Sequence, residues 1–271
     1  MQPTSQTVWH SLLADPSGQR EAKPRRSGKT MVIDKGLGLH AYEDLVLTAG
    51  PYIDLIKLGF GTSALYPLDV LKKKIELARA HDILILPGGT FLEVAVTKGL
   101  TDSYFQTVSE LGFTAVEVSD GTIEIERNLR IRLILEGIRS GLQVFTEYGK
   151  KCWGSSIEIQ ELIRTVESDL EFGAQLVTIE GRESGMGVGI FDEKGAFKQD
   201  DFKSIVEHLP HLSRIMWEAP LKSQQSQLLG MLGADIHLGN IAPDDVFSLE
   251  ALRRGLRSDT FKLGEQIDFV I

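Results

Sequence analysis

Residues 142–149 read LQVFTEYG and residues 175–181 read QLVTIEG; both are apolar, β-favouring runs that carry a glutamate, Glu147 and Glu180, close to the glycine that ends them. TAVEVSD at 114–120 and RIMWEAP at 214–220 have the same form, with Glu117 and Glu218. Near-continuous apolar runs of this length are typical of parallel strands buried on both faces. A charged residue inside such a strand is costly unless it is paired or binds a cation. Four strands with the same cost near the same height imply one shared site. Enzymes built as (β/α) barrels place their chemistry at that end of the strands.

The theme extends in both directions. TMVID at 30–34 ends in Asp34-Lys35, YIDLIKLG at 52–59 carries Lys57, DILILPGG spans 82–89, and DIHLGNI at 235–241 carries Gly239-Asn240. Between the runs lie stripes of helical period: Leu68, Leu71, Ile75 and Ala78; Phe105, Val108 and Leu111 after a Thr101 cap; Ile159, Leu162, Val166 and Leu170; Phe202, Ile205, Val206 and Leu209; Leu249, Leu252 and Leu256, with Pro243 suited to a first turn. Eight strand–helix units predict an α/β fold, a (β/α)8 TIM barrel. The alternative, a doubly wound open sheet, would leave two edges to cover.

With 271 residues and 42 % hydrophobic residues, one barrel domain is expected over 23–271, preceded by a flexible N-terminal tail over 1–22. The net charge of −9 argues against nucleic-acid binding but leaves anionic small molecules open. Cys152 is the sole cysteine, which suits a reducing, cytoplasmic setting, and no run is long and apolar enough to span a membrane. Lys23, Arg25, Arg26 and Lys29 form a basic cluster that reads first as a solvated approach to the barrel and second as an anion site.

The oxygen-rich strand ends suit a hard cation such as Mg²⁺, with Glu147, Glu180, Asp34 and Glu218 as candidate ligands. The six histidines include no HxxxH pair, which argues against zinc. A buried salt-bridge network of the carboxylates with Lys57 and Arg182 is the structural alternative. Glycines in GFGTS at 59–63 and in PGGT at 87–90, with Gly88 and Gly89, bring main-chain amides within reach of an oxyanion; tight turns explain them equally well. Arg182, in the glycine-rich segment 181–189, is placed to fork onto a phosphate or carboxylate. Lys222 and Ser223 follow strand 7, where many barrels hold phosphate, and Lys35 and Asn240 lie at the ends of strands 1 and 8.

VIDKG, DLIKLGFGTS, PGGT, VEVSDGT, EYGKK, TIEGRESG, EAPLKSQQ, LGNIA and LEALRRGLRSDTF follow one another from about residue 32 to 261. Together they resemble the phosphosulfolactate synthase family. His237, Gly239 and the segment after Lys151 depart from its pattern without touching the ionic residues. The resemblance implies a barrel carbon–sulfur lyase that uses Mg²⁺ to add sulfite to phosphoenolpyruvate, giving (2R)-phospho-3-sulfolactate, a precursor of coenzyme M or of sulfolactate. It also admits a protective role like that of plant heat-stress-associated relatives, or a Mg²⁺ barrel acting on another enolpyruvate or phospho-acid. Homo-oligomer formation is left open. The addition requires a general acid, and Lys150 and Lys151, after Glu147, are the candidates, Lys151 foremost and Lys57 next. A lysine in this role is expected to have a lowered pKa.

Overall fold

The computed structural model describes residues 8–261. Eight strands appear where the apolar runs lie: β1 (Thr30–Asp34), β2 (Leu55–Leu58), β3 (Leu84–Pro87), β4 (Ala115–Val118), β5 (Gln143–Tyr148), β6 (Val177–Ile179), β7 (Ile215–Glu218) and β8 (His237–Ile241). All ladders are parallel, in the order β3-β2-β1-β8-β7-β6-β5-β4. The seam between β3 and β4 has no ladder. Thr114 bridges it: its N–H donates to the Ile85 carbonyl at 3.1 Å and its hydroxyl oxygen accepts from the Ile85 N–H at 2.8 Å. The result is a nearly closed (β/α)8 barrel.

Among the described residues, ten helices lie before, between and after the strands: α1 (Ser11–Ala14), α2 (Leu39–Ala49), α3 (Leu68–Ala80), α4 (Gly89–Lys98), α5 (Thr101–Leu111), α6 (Arg127–Arg139), α7 (Ile159–Glu171), α8 (Gln199–His208), α9 (Lys222–Leu232) and α10 (Val246–Arg253), with α4 and α5 both between β3 and β4. Some details differ from the sequence expectations. Leu68 and Leu256 are exposed, because α3 turns Leu71, Ile75 and Ala78 inward and Leu256 follows the end of α10. Thr101 is the first helical residue rather than a cap, and Pro243 opens a short 3-10 turn ahead of α10.

Two alternating sets of strand side chains divide the interior. Val32, Ile56, Val116, Val144 and Trp217 face the helices. Met31, Leu55, Ala115, Phe145, Leu176 and Met216 fill the lower barrel. Two residues further along their strands, Leu55 is followed by Lys57, Ala115 by Glu117, Phe145 by Glu147 and Met216 by Glu218. The period of two therefore stacks an ionic layer directly on an apolar one.

Within 8–22, expected to be a tail, Ala14, Ser17 and Arg20 bond to α10 and to Arg254 at its end, while Val8, Trp9, Leu12 and Leu13 are exposed. Arg20 forks onto Glu250, with Nε 3.1 and 3.0 Å from its oxygens, and also donates to the Gly28 carbonyl. Residues 1–7 of the expected tail and 262–271 of the expected barrel lie outside the described residues. No helix among the described residues is long and apolar enough to cross a membrane.

Candidate active site

Glu117, Glu147, Glu180 and Glu218 all line a cavity of about 250 Å³ at the C-terminal end of the strands, together with Lys57, Lys151, Arg182 and Asn240. All four carboxylates are 1–2 % exposed. Lys57 forms the floor. Its Nζ lies 2.8 Å from Glu218, 3.3 Å from Glu117 and 3.5 Å from Glu147. Lys151 reaches in from the rim of β5: its Nζ lies 2.6 Å from Glu147, 3.5 Å from Glu180 and 3.6 Å from Glu93, with Thr90 Oγ1 at 3.4 Å.

Glu93 is a site residue that the sequence reading missed. It is buried on α4, accepts from Ser119 Oγ at 2.6 Å and from the Thr122 and Ile123 amides at 2.7 and 2.9 Å, and so ties down the loop after β4. A glutamate inside the apolar run FLEVAV was the available signal.

Five carboxylates thus face two ammonium groups. Burial raises the Glu117 carboxyl to about 7, and the neighbouring Glu147 and Glu218 add to the rise against Lys57 and Lys151. Burial likewise drives Glu180 well above the carboxylate range, reinforced by Glu147 and Glu218. Glu147 goes the other way, to about 2, because Lys151 and Lys57 outweigh its burial. Glu147 is thus held ionised while Glu117 and Glu180 are pushed toward keeping their protons, as expected where acids outnumber their cations.

Several expected residues are elsewhere. Asp34 is fully buried, but its oxygens are occupied by Lys74 at 2.6 Å, by the Gly36 and Leu37 amides at 2.8 and 2.7 Å, and by Tyr66 at 3.4 Å. That pairing keeps it out of the carboxylate cluster. Lys150 turns away and donates to the Asp120 and Ile123 carbonyls. There it borders an outer cleft of about 280 Å³, in which Arg130 is already forked onto Asp169. Lys222, at the start of α9, pairs with Asp245 at 3.0 Å; Ser223 and Lys35 are exposed, and none of the three lines the mouth.

Gly88 and Gly89 do line the mouth. The Gly89 amide, however, donates to Glu117 at 2.9 Å, so the expected oxyanion donor already serves a protein carboxylate. A Cβ on Gly88 would come within 2.7 Å of Phe60 main-chain atoms, which is reason enough for glycine there. Arg182 has positive φ, its amide donates to Glu180 at 2.7 Å, and among the described residues its half-buried guanidinium pairs with Glu183 alone, at 4.0 Å. Asn240, also at positive φ, points an amide oxygen with no hydrogen-bond partner from a buried position.

The family model described as (2R)-phospho-3-sulfolactate synthase (ComA) matches residues 18–259. The chain belongs to this family. A phosphosulfolactate synthase from Methanothermobacter thermautotrophicus is 42 % identical over 243 residues, covering 89 % of this chain and 94 % of the relative. The Bacillus subtilis phosphosulfolactate synthase is 33 % identical, with 90 % and 96 % covered. Protein HEAT-STRESS-ASSOCIATED 32 of Arabidopsis thaliana is 23 % identical, with 90 % and 91 % covered.

In this member of the phosphosulfolactate synthase family, the mouth offers a cluster of carboxylate oxygens. Glu147, Glu180 and Glu218 each offer one oxygen, and these three oxygens lie within 4.8 Å of one another. Glu180 Oε2 is buried and has no hydrogen-bond donor among the described residues, its nearest cation being the Lys151 ammonium at 3.5 Å. The donor set is all oxygen, and the surplus of carboxyl groups over lysines lets a cation take the place of the protons that burial would otherwise keep on them. Both features fit Mg²⁺.

Proposed function

We propose that the protein is a Mg²⁺-dependent lyase that joins sulfite to phosphoenolpyruvate to form (2R)-phospho-3-sulfolactate, with Glu147, Glu180 and Glu218 holding the cation. Bound there, Mg²⁺ would supply positive charge to the substrate carboxylate. The surplus of buried carboxylates around two fixed lysines is the observation that carries this reading.

The sulfite lone pair forms the C–S bond at the terminal carbon. The enol π pair moves toward the carboxylate, and C2 must then take one proton. Lys151 is the cavity-lining ammonium best positioned to donate it. Burial alone would lower the pKa of Lys151, yet Glu147, Glu180 and Glu117 together raise it well above the ordinary value. This is the reverse of the lowering expected from the sequence. It is compatible with the role, because a carbanionic centre is far more basic than an amine, and a high pKa keeps the donor loaded at neutral pH. Lys57 is also held charged, but against the floor among Glu117, Glu218 and Glu147, which suits it to orienting those carboxylates. Arg182 is the remaining cation of the mouth and the natural partner for a phosphate or carboxylate of the substrate.

The test is to incubate the purified protein with phosphoenolpyruvate, sulfite and Mg²⁺ and to follow products by mass spectrometry. Phosphosulfolactate accumulating in proportion to protein is the expected result. Unchanged phosphoenolpyruvate would overturn the reading and favour another enolpyruvate substrate.

A further inference from the structure

The basic cluster ahead of β1 has a destination. Lys23, Arg25, Arg26 and Lys29 meet Arg214, from the turn before β7, around a cavity at the N-terminal end of the barrel. Its volume is about 620 Å³, more than twice that of the catalytic mouth. Leu55, Phe145 and Leu176, the lowest layer of the barrel interior, line its apolar floor. Asp54 and Asp82 are its acidic residues, so five cations face two carboxylates in a chain of net charge −9. The proposed reaction at the opposite end does not use these groups.

Main-chain oxygens hold most of these cations in place without neutralising them. Lys23 donates to the Gly50, Ile53 and His81 carbonyls, Lys29 to that of Arg25, and Arg214 to those of Ala174 and Gln175. Arg25 is 4 % exposed; its Nη2 donates to the Pro51 carbonyl and its Nε lies 3.5 Å from Asp54, but its Nη1 has no hydrogen-bond partner. The other oxygen of Asp54 accepts from the Thr30 amide. The Arg26 side chain is exposed, with no hydrogen bond to its guanidinium among the described residues. His237 adds no charge: its Nδ1 accepts from the Lys29 N–H and its Nε2 donates to the Ser213 carbonyl, which fixes the neutral ring. Unneutralised charge, a buried guanidinium with a donor to spare, and an apolar floor thus coincide in one cavity.

We propose that this cavity binds a phosphoryl group, carried on a small organic phosphate whose apolar body rests on Phe145 and Leu176. A surplus of three cations matches a dianion better than a carboxylate, and guanidinium forks suit the oxygens of a tetrahedral phosphate. The apolar floor favours an ester over the free ion.

Calorimetric titration of the full chain with phenyl phosphate and, separately, with inorganic phosphate tests this. The mouth also attracts anions, so Arg182→Ala serves to remove binding there. The expected result is a saturable phase that persists in Arg182→Ala, weakens at least tenfold in Arg26→Glu and is retained in Arg26→Lys, with unchanged circular dichroism in all three. Tighter binding of phenyl phosphate supports the ester; equal affinity for inorganic phosphate overturns that part and supports the free ion. No saturable binding of either probe, or binding lost in Arg182→Ala and untouched in Arg26→Glu, overturns the proposal.

Discussion

Lys151 is held at three levels. Its amide donates to the Gly121 carbonyl at 3.0 Å, its stem lies against Gly121, where a Cβ would come within 2.9 Å of its Cγ, and its ammonium sits among Glu147, Glu180 and Glu93. Lys151→Ala should therefore reduce kcat by on the order of 10²-fold or more, the usual range for a general acid. Lys150→Ala should turn over close to the parent, because Lys150 points out of the mouth. Steady-state rates of the two variants, with folding checked by circular dichroism, decide this; equal loss in both would remove the distinction. For Arg182, the expected change is in KM: Arg182→Lys keeps the charge but loses the fork, so KM for phosphoenolpyruvate should rise several-fold. An unchanged KM and kcat would take Arg182 out of the site.

At the scale of elements, strands and helices were not equally legible. Each strand lies within its apolar run, and the four glutamates stood out because a carboxylate interrupting a β-rich run has few structural explanations. The helices hid their ionic residues. Lys74 lies on the buried stripe of α3 with Leu71, Ile75 and Ala78, and Arg130 on that of α6, but their partners Asp34 and Asp169 are about 40 residues away, beyond any local pattern. Asp34 was misread for the same reason: without Lys74 in view, a buried aspartate at a strand end looks like a metal ligand. Lys74 and Asp34 are both fully buried, with the Lys74 Nζ over the Tyr66 ring at 4.2 Å. Lys74→Met should thus destabilise the fold by about 3–5 kcal/mol in urea unfolding, and adding Asp34→Asn should recover part of that loss. No recovery would mean that the two groups do not act as a pair.

His237 on β8 gives the elements a pH dependence. Burial, opposed by its bond to Ser213 and assisted by Arg253, Lys29 and Arg214, brings its pKa down to about 4 from an ordinary 6.5. Between these values the unfolded chain binds a proton that the native chain does not. The His237 contribution to stability is therefore complete above pH 6.5 and is lost as pH falls toward 4, by roughly 3 kcal/mol. Urea midpoints across this window, compared with those of His237→Asn, check it; identical slopes in the two proteins would rule out His237 as the source.

At the scale of the whole molecule, one barrel separates two charge regimes. The C-terminal mouth has more acids than cations, and the N-terminal cavity more cations than acids. Barrels commonly place chemistry at the first end and stability at the second. The short period-two step from apolar to ionic residues on the strands creates the first regime; the segment ahead of β1 and the turn before β7 create the second. A barrel kept only as an interaction protein would have no use for five buried carboxylates around two lysines, since apolar side chains would fill the space at less cost. The role proposed for this acid surplus is a Mg²⁺ site for joining sulfite to phosphoenolpyruvate. Its most direct test is the initial rate of phosphosulfolactate formation as Mg²⁺ is titrated into protein freed of metal by EDTA. The account predicts no rate at zero Mg²⁺, saturation as the ion is added, and a weaker apparent Mg²⁺ affinity in Glu180→Gln; a full rate in excess EDTA would contradict it.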